Sequence, residues 1–150
     1  MERFVADVHL GKLARLLRLL GFDTVYQNSF TTTELIGAAV NEARILLSRS
    51  TGFLKYSAVR SFIIKHEDPW DQLKQIVEHF QLKNQFNPFS RCIVCNGHLE
   101  KVPKQSILHL LEQNTIDYFS EFWRCPDCNR VYWKGSHYER MLKITEAIMS

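Results

Sequence analysis

Two Cys-x-x-Cys pairs constrain the fold of this chain more than any other feature. The pairs are Cys92 with Cys95, in RCIVCNGH, and Cys125 with Cys128, in WRCPDCNRVYW. Two thiolates two residues apart can point at one tetrahedral ion, and the intervening amides are free to bond the sulfurs. The doubled spacing predicts structural zinc on four cysteines, with buried or redox-active cysteines as the alternative. Four thiolates would fill the coordination shell, which argues against catalytic zinc.

The insertion between the cysteine pairs is long. Residues 96–124 separate them, more than the roughly 15 to 20 residues of a compact ribbon. The segment KQSILHLLEQNTI is therefore predicted to form a short helix. His98 and His137 are alternative ligands, although loop histidines that bind no metal are commoner.

Composition bounds the class of protein. A length of 150 residues and an apolar content of 45% are consistent with one domain, or with a small domain that is joined to a metal-stabilised segment. No segment approaches the roughly 18 uninterrupted apolar residues of a membrane span, and MERFVADVHLGK has no signal-peptide pattern, so a cytoplasmic protein without membrane contact is expected. The formal charge is +3, and a zinc tetrathiolate would reduce it to roughly +1. Any basic face must therefore be local.

The residues before position 88 alternate between strand and helix patterns, which predicts a parallel sheet with right-handed crossovers. The pattern breaks near NQFNPFS. We therefore predict an α/β domain over residues 1–88 and a zinc-ribbon domain over residues 89–150. The predicted strands are ERFVAD, DTVYQ, RILLS and RSFIIK; the predicted helices are HLGKLARLLRLL, FTTTELIGAAVNEA and DPWDQLKQIVEHFQL, with TGFLKYSAV as a short helix or turn.

Charged residues lie just before the first predicted helix and along it. Asp7 ends the first strand, and Lys12, Arg15 and Arg18 follow three residues apart. This spacing is predicted to keep the cations on one broad helix face, turned from the leucine stripe. Phosphate contact is one interpretation and a solvated face is the other; the pattern alone favours the solvated face. A lone aspartate at a strand end is likewise often a helix cap.

Several stretches resemble a known family. FVADVHLGKLARLLRLLGFDTVY, TTTELIGAAVNEARILLSRS, the QL of DPWDQLKQI and the tail VYWKGSHYERM are similar to the PIN-like ribonuclease domain named after the C-terminus of Mut-seven exonucleases, with its zinc ribbon. The resemblance covers almost the whole chain. It implies a small PIN-like α/β domain that hydrolyses RNA with divalent metal on clustered carboxylates. Hard Mg²⁺ or Mn²⁺ takes oxygen ligands, activates water and offsets charge on the phosphorane.

The resemblance also implies which acids hold the metal. Asp7 matches the acid of the first strand, and Glu34 matches the acid of the second-helix segment. The family's third strand commonly ends Thr-Arg-Asp, whereas this chain has Ser48-Arg49-Ser50, so an expected metal-binding aspartate is absent. A serine is a neutral, weak ligand, and losing one ligand acid commonly costs orders of magnitude in rate.

Two further acids are candidates to replace the missing carboxylate. Glu67 and Asp68 follow the fourth strand directly. A purely structural role for Asp68 is favoured, because Asp-Pro at the start of a helix is an ordinary capping sequence. Glu34 has a similar alternative role, since Thr31-x-x-Glu34 is a capping box.

Two functions stay open at this point. The first is a PIN-like ribonuclease, weakened by Ser50, in which Lys12, Arg15, Arg18 and Arg49 contact RNA phosphates. The second is a catalytically inactive RNA- or protein-binding module that retains the fold, and a homodimer is compatible with either. The RNA substrate and endo- or exonucleolytic action are not specified by the sequence. Four aromatic residues around the ribbon could stack on bases or form its small core, and we favour core for Trp123: Trp123, Tyr132, Trp133 and Tyr138.

Overall fold

The computed structural model describes residues 1–149 and contains two separate sheets. The first sheet is parallel, with strand order β2-β1-β3-β4. Its four strands confirm the predicted α/β class. They are β1 (Phe4–Ala6), β2 (Thr24–Val25), β3 (Ile45–Ser48) and β4 (Ser61–Ile63).

Helices cover both faces of this sheet because neighbouring residues of a strand point to opposite sides. Phe4 and Ala6 of β1 join a core with α1 (Gly11–Leu19) and α3 (Pro69–Phe80). Val5, between them, packs on the opposite face with α2 (Thr32–Asn41). The central strands β1 and β3 are buried on both faces, which explains why their sequences are continuous apolar runs rather than alternating ones.

Local signals set the helix ends. Asp68 caps α3 through the amides of Trp70 and Asp71, with Pro69 at the first helical position, as predicted. Gly21 follows α1 with φ of +95°, and a Cβ there would lie 2.4 Å from the Asn87 carbonyl oxygen. Only glycine allows both this backbone conformation and this close approach.

The second sheet is antiparallel and belongs to the cysteine-bearing half. It consists of β5 (Glu100–Val102), β6 (Phe122–Arg124) and β7 (Val131–Tyr132), in that order. The insertion between the cysteine pairs forms a 3-10 helix (Lys104–Leu110) and α4 (Gln113–Tyr118), which confirms its predicted helical character. The TGFLKYSAV segment likewise begins with a 3-10 helix over Thr51–Lys55.

The last helix, α5 (Ser136–Met149), was not predicted as a helix, although it lies within the predicted zinc-ribbon segment 89–150. It returns to the first sheet's core and packs against α3. The Tyr138 hydroxyl donates to the Leu19 carbonyl oxygen at 3.3 Å and accepts from the Phe89 amide at 3.1 Å. The two sheets thus lie on either side of residue 88, while one hydrophobic core runs across that position. None of the helices over residues 1–149 has the length and apolar character required to cross a membrane.

Candidate functional site

The carboxyl ends of the parallel strands meet at one edge of the sheet, which we call the strand edge. The strand order reverses between β1 and β3, and in open α/β sheets ligands bind at such a switch point. Asp7 follows β1 there and is half-buried. Its Oδ1 accepts from the Val8 amide at 2.7 Å, and its Oδ2 accepts from the Ser48 hydroxyl at 2.7 Å. The carboxylate of Asp7 is therefore held in a fixed orientation at the strand edge.

Ser48, the last residue of β3, and Ser50, two residues further along the chain, have different roles. Ser48 is buried, and its hydroxyl both donates to Asp7 and accepts from the Ser50 amide at 3.0 Å. Ser50 is exposed, and its side chain accepts from the Gly52 amide at 3.1 Å, which caps the following 3-10 helix. Ser50 thus supplies a helix cap at the position where the family pattern places an acid.

The other predicted acids have structural partners. Glu34 is exposed and completes the Thr31 capping box, accepting from the Thr31 amide at 3.1 Å. Asp68 caps α3. Glu67 is 87% exposed and lies 3.7 Å from the Arg49 guanidinium. The metal-binding roles of Glu34, Glu67 and Asp68 stay predictions.

No group of three acidic side chains within residues 1–149 converges at the strand edge. Within residues 1–149, one group of three or more Cys, His, Asp or Glu side chains has all its ligand atoms within 4.8 Å, and it consists of the four cysteines. Asp7 is consequently the acid that the strand edge offers with a defined geometry. A hard divalent ion bound there would have to complete its shell with water, hydroxyl and substrate oxygens.

The predicted cationic face of α1 is only partly correct. Lys12 and Arg15 are exposed, but Arg18 is 4% exposed. Each step of three residues turns the helix 60° short of a full rotation, so Arg18 lies about 120° around the axis from Lys12. Arg18 Nε donates to the Thr24 carbonyl oxygen, and its Nη1 donates to two carbonyl oxygens of the first cysteine loop. The predicted phosphate contact of Arg18 is therefore wrong.

Arg18 instead joins α1 to the first cysteine loop. Its acceptors in that loop are the carbonyl oxygens of Ile93 and Val94, each at 3.0 Å, between the two cysteines of the pair. Burial lowers the pKa of Arg18, while the nearby Cys92 and Cys95 sulfurs oppose that change. A buried guanidinium with three carbonyl acceptors fixes the loop against the helix.

The four cysteine sulfurs form a compact cluster. Sγ of Cys92 lies 3.6 Å from Sγ of Cys128, and Sγ of Cys95 lies 3.4 Å from Sγ of Cys125. A tetrahedral zinc with bonds of about 2.3 Å needs sulfurs about 3.8 Å apart. The donor set and its spacing therefore fit a zinc tetrathiolate with small adjustments.

Main-chain amides orient the sulfurs. The Cys92 sulfur accepts from the amides of Val94 and Cys95, and the Cys95 sulfur accepts from the amide of Gly97. Asn96 has a left-handed φ of 71°, which turns the chain back so that the Cys92 amide reaches the Gly97 carbonyl. A Cβ on Gly97 would lie 2.5 Å from an Asp127 carboxylate oxygen.

The second cysteine loop repeats this geometry. Asn129 has a φ of 65° and follows Cys128, and the Cys125 amide donates to the Arg130 carbonyl oxygen. The repeated Cys-x-x-Cys-Asn motif is the sequence signal for these turns, because asparagine tolerates left-handed backbone. That signal was available in the sequence and was missed.

Tyr132 was also missed as a part of this site. Its hydroxyl lies 3.0 Å from the Cys92 sulfur. Burial acts to raise the pKa of Cys92, but the hydrogen bonds from Tyr132 and from the loop amides outweigh it and lower the pKa to about 7. Burial raises the pKa of Cys95 to about 12. Four clustered thiols lose their protons together only when a cation compensates the charge.

Together, these features define a class: a parallel α/β domain with a polar strand edge, joined to an antiparallel ribbon whose four clustered cysteines fit a zinc site. A family model described as Mut7-C RNAse domain matches residues 2–145. The chain therefore belongs to the Mut7-C RNAse domain family, as the resemblance implied. No curated protein and no solved structure matches the chain.

Proposed function

We propose that this chain is an RNA-binding, metal-dependent ribonuclease of reduced activity, with Asp7 as its principal metal-binding acid and a structural zinc in the ribbon. Family membership supports ribonuclease chemistry. The observation that carries the assignment of the site is the Asp7 carboxylate, which Ser48 and Val8 hold at the switch point of the sheet.

The proposed roles follow from position. Asp7 would hold a Mg²⁺ or Mn²⁺ ion, which supplies an activated water and offsets charge on the phosphate. Arg49, 46% exposed beside the strand edge, is placed to contact an RNA phosphate, and Lys12 is exposed at the start of α1. Because one oriented carboxylate binds such an ion weakly, we expect slow cleavage that requires a high metal concentration.

Cleavage of labelled single-stranded RNA over a Mn²⁺ titration tests this proposal. We expect slow cleavage by the wild type and a loss to background in Asp7→Asn. Ser50→Asp should raise the rate at least about tenfold, since it restores a ligand charge. Aspartate is as good a helix cap as serine, so this variant should fold normally. Ser57→Asp, an exposed serine in the turn before β4 and hence at the opposite edge, is the matched control.

A second candidate function is a binding module without hydrolytic activity. It is favoured by the absence, within residues 1–149, of a three-acid group at the strand edge and by the use of Ser50 as a cap. The same experiment separates the two. No cleavage by the wild type at any Mn²⁺ concentration, with activity appearing in Ser50→Asp, would favour the binding module. Equal cleavage by wild type and Asp7→Asn would contradict the ribonuclease assignment of Asp7.

A further inference from the structure

Three surface grooves follow one another from the zinc ribbon to the strand edge. The ribbon groove, of about 580 Å³, lies between α1, the first cysteine loop, β7 and α5. The helix groove, of about 360 Å³, lies between α1 and the start of α3. The edge groove, of about 430 Å³, lies at the end of β1 and the start of α1.

The three grooves adjoin one another, because neighbouring ones share lining residues. Arg15 and Met141 line both the ribbon groove and the helix groove. Lys12 and Pro69 line both the helix groove and the edge groove. The edge groove ends at Val8, whose amide donates to the Asp7 carboxylate. We call the surface formed by these three adjoining grooves the track.

Cations recur along the track. Arg130 lines the ribbon groove, Arg15 the junction with the helix groove, and Lys12 the junction with the edge groove. All three side chains are exposed, and none forms an ion pair or hydrogen bond within the part of the chain that the structure describes. Such unpaired cations are available for an anionic ligand.

Acids are scarce along the same surface. No aspartate or glutamate from the described residues 1–149 lines the ribbon groove. The carboxylate of Asp68, in the helix groove, is occupied by the two amides at the start of α3. Glu67, in the edge groove, is paired with Arg49. The charge of the track therefore complements a polyanion.

Aromatic rings accompany the cations. Tyr132 and Trp133 line the ribbon groove, and Trp70 lines the helix groove. All three rings are partly exposed. Unpaired bases stack on such rings, whereas the bases of a duplex are not accessible to them. Alternating cations and rings thus favour a single strand over a duplex, and over an acidic peptide, which has no bases to stack.

We propose that the track binds single-stranded RNA, with bases on Trp133 and Trp70 and phosphates on Arg130, Arg15 and Lys12, and leads the strand to Asp7. This inference rests on the proposed function in one respect: Asp7 is taken as the end of the path because it is the proposed catalytic acid. It assigns the ribbon a substrate-binding role in addition to its structural one.

Fluorescence anisotropy tests the track, using the zinc-loaded full chain and a labelled single-stranded RNA of about ten nucleotides without added Mg²⁺ or Mn²⁺. We expect Arg15→Gln/Arg130→Gln to weaken binding about tenfold or more near 100 mM salt. The log–log salt slope should fall by about 1.4, or about 0.7 for each lost phosphate contact. The control is Arg140→Gln/Lys143→Gln, two exposed cations of α5 outside the grooves, with an expected change below about twofold.

Crosslinking from 4-thiouridine in the same RNA provides a readout on the wild-type protein, and we expect crosslinks to peptides that contain Trp133 or Trp70. Equal effects of the two double variants, crosslinks confined to other peptides, or tighter binding of the matching duplex would overturn the track. Binding of a polyglutamate peptide by a protein that does not bind the RNA would also overturn the track, since that result indicates an acidic protein partner.

The binding assay also keeps the two proposals separate. Asp7→Asn should bind the RNA at least as tightly as the wild type, because it removes a negative charge at the end of the track and no divalent ion is added. If the wild type never cleaves RNA but Arg15→Gln/Arg130→Gln weakens RNA binding, the proposed hydrolysis is wrong and the proposed track is retained. If cleavage depends on Asp7 but the double variant binds RNA with unchanged affinity, the proposed track is wrong and the ribonuclease proposal is retained.

Discussion

Asp23 links the α/β domain to the first cysteine loop through three polar partners. Its Oδ1 accepts from Arg44 Nη1 and from Asn96 Nδ2, each at 2.7 Å, and its Oδ2 lies 3.6 Å from Arg91 Nη2. Burial acts to raise the pKa of Asp23, but hydrogen bonds from Arg44 and Asn96 and the charges of both arginines outweigh it and lower the pKa. The ionised form is therefore favoured in the folded protein.

The substitution Asp23→Asn is expected to lower the free energy of unfolding by about 2 to 4 kcal/mol, because it leaves the 6%-exposed Arg44 without its closest carboxylate. A depressed folded pKa contributes stability above the unfolded value of 3.8, and this contribution is lost as the pH falls through the folded pKa. The difference between wild type and variant should thus be the same at pH 7 and pH 5.5 in urea unfolding.

Asp117→Asn provides the control for this prediction. Asp117 is exposed and accepts a hydrogen bond from Gln113 on the same short helix. Its substitution should change stability by less than about 0.5 kcal/mol. A similar loss in both variants, or a difference for Asp23→Asn that halves between pH 7 and pH 5.5, would contradict the role assigned to Asp23.

Arg18 shows at the same scale why sequence analysis alone misassigned a residue. The three-residue spacing correctly placed Lys12 and Arg15 in solvent. It could not reveal that the cysteine loop, distant in sequence, presents two carbonyl oxygens to the third cation. A charged residue near the border of an apolar helix face is buried when another segment supplies acceptors, and single-sequence periodicity contains no information on that segment.

At the scale of elements, the cysteine-bearing ribbon is small, and we expect its stability to depend on a bound metal. The antiparallel sheet has three strands of two or three residues each, and a sheet of that size needs additional stabilisation. We expect one bound zinc per chain. Its removal by a chelator should lower the melting temperature by about 10 °C or more, since structural zinc contributes directly to folding and each kcal/mol shifts melting by about 2 to 4 °C in a chain of this size.

Metal analysis and differential scanning calorimetry check this expectation. Cobalt(II) substitution should give the visible absorption of a tetrahedral thiolate site, and Cys125→Ser should lose it along with zinc stoichiometry. His98→Ala should keep one zinc per chain, since His98 is outside the four-cysteine group. A chain without bound metal, or a melting temperature that a chelator leaves unchanged, would show that the cysteines are not a structural metal site.

Elements differ in how well the sequence predicted them. The strands of the parallel sheet and the helix α3 were predicted because each has a local signal: a short apolar run, or Asp68-Pro69 before an apolar stripe. The helix α5 has no such prediction, since its apolar residues are interspersed with charges and its partner is α3, far away in sequence. Elements defined by long-range packing are the ones that single-sequence reasoning misses.

At the scale of the whole molecule, the core crosses the predicted boundary at residue 88. Tyr138, beyond that boundary, donates to the Leu19 carbonyl oxygen at 3.3 Å, and α5 packs against α3. Arg18 and Asp23 connect the first cysteine loop to the parallel domain. These contacts join the two segments at several independent points, so neither is expected to keep its full stability alone.

Calorimetry of the zinc-loaded full chain should therefore show one cooperative transition, with equal calorimetric and van't Hoff enthalpies. A fragment of residues 1–88 should melt at least about 10 °C lower than the full chain, because it lacks α5 over the α1–α3 face and the two cysteine-loop carbonyl acceptors of Arg18. Tyr138→Phe, which removes only the hydroxyl bonded to Leu19 and Phe89, should cost about 1 to 2 kcal/mol without dividing the transition. Two separable transitions in the full chain, with the fragment melting at the temperature of one of them, would instead establish residues 1–88 as an independent domain.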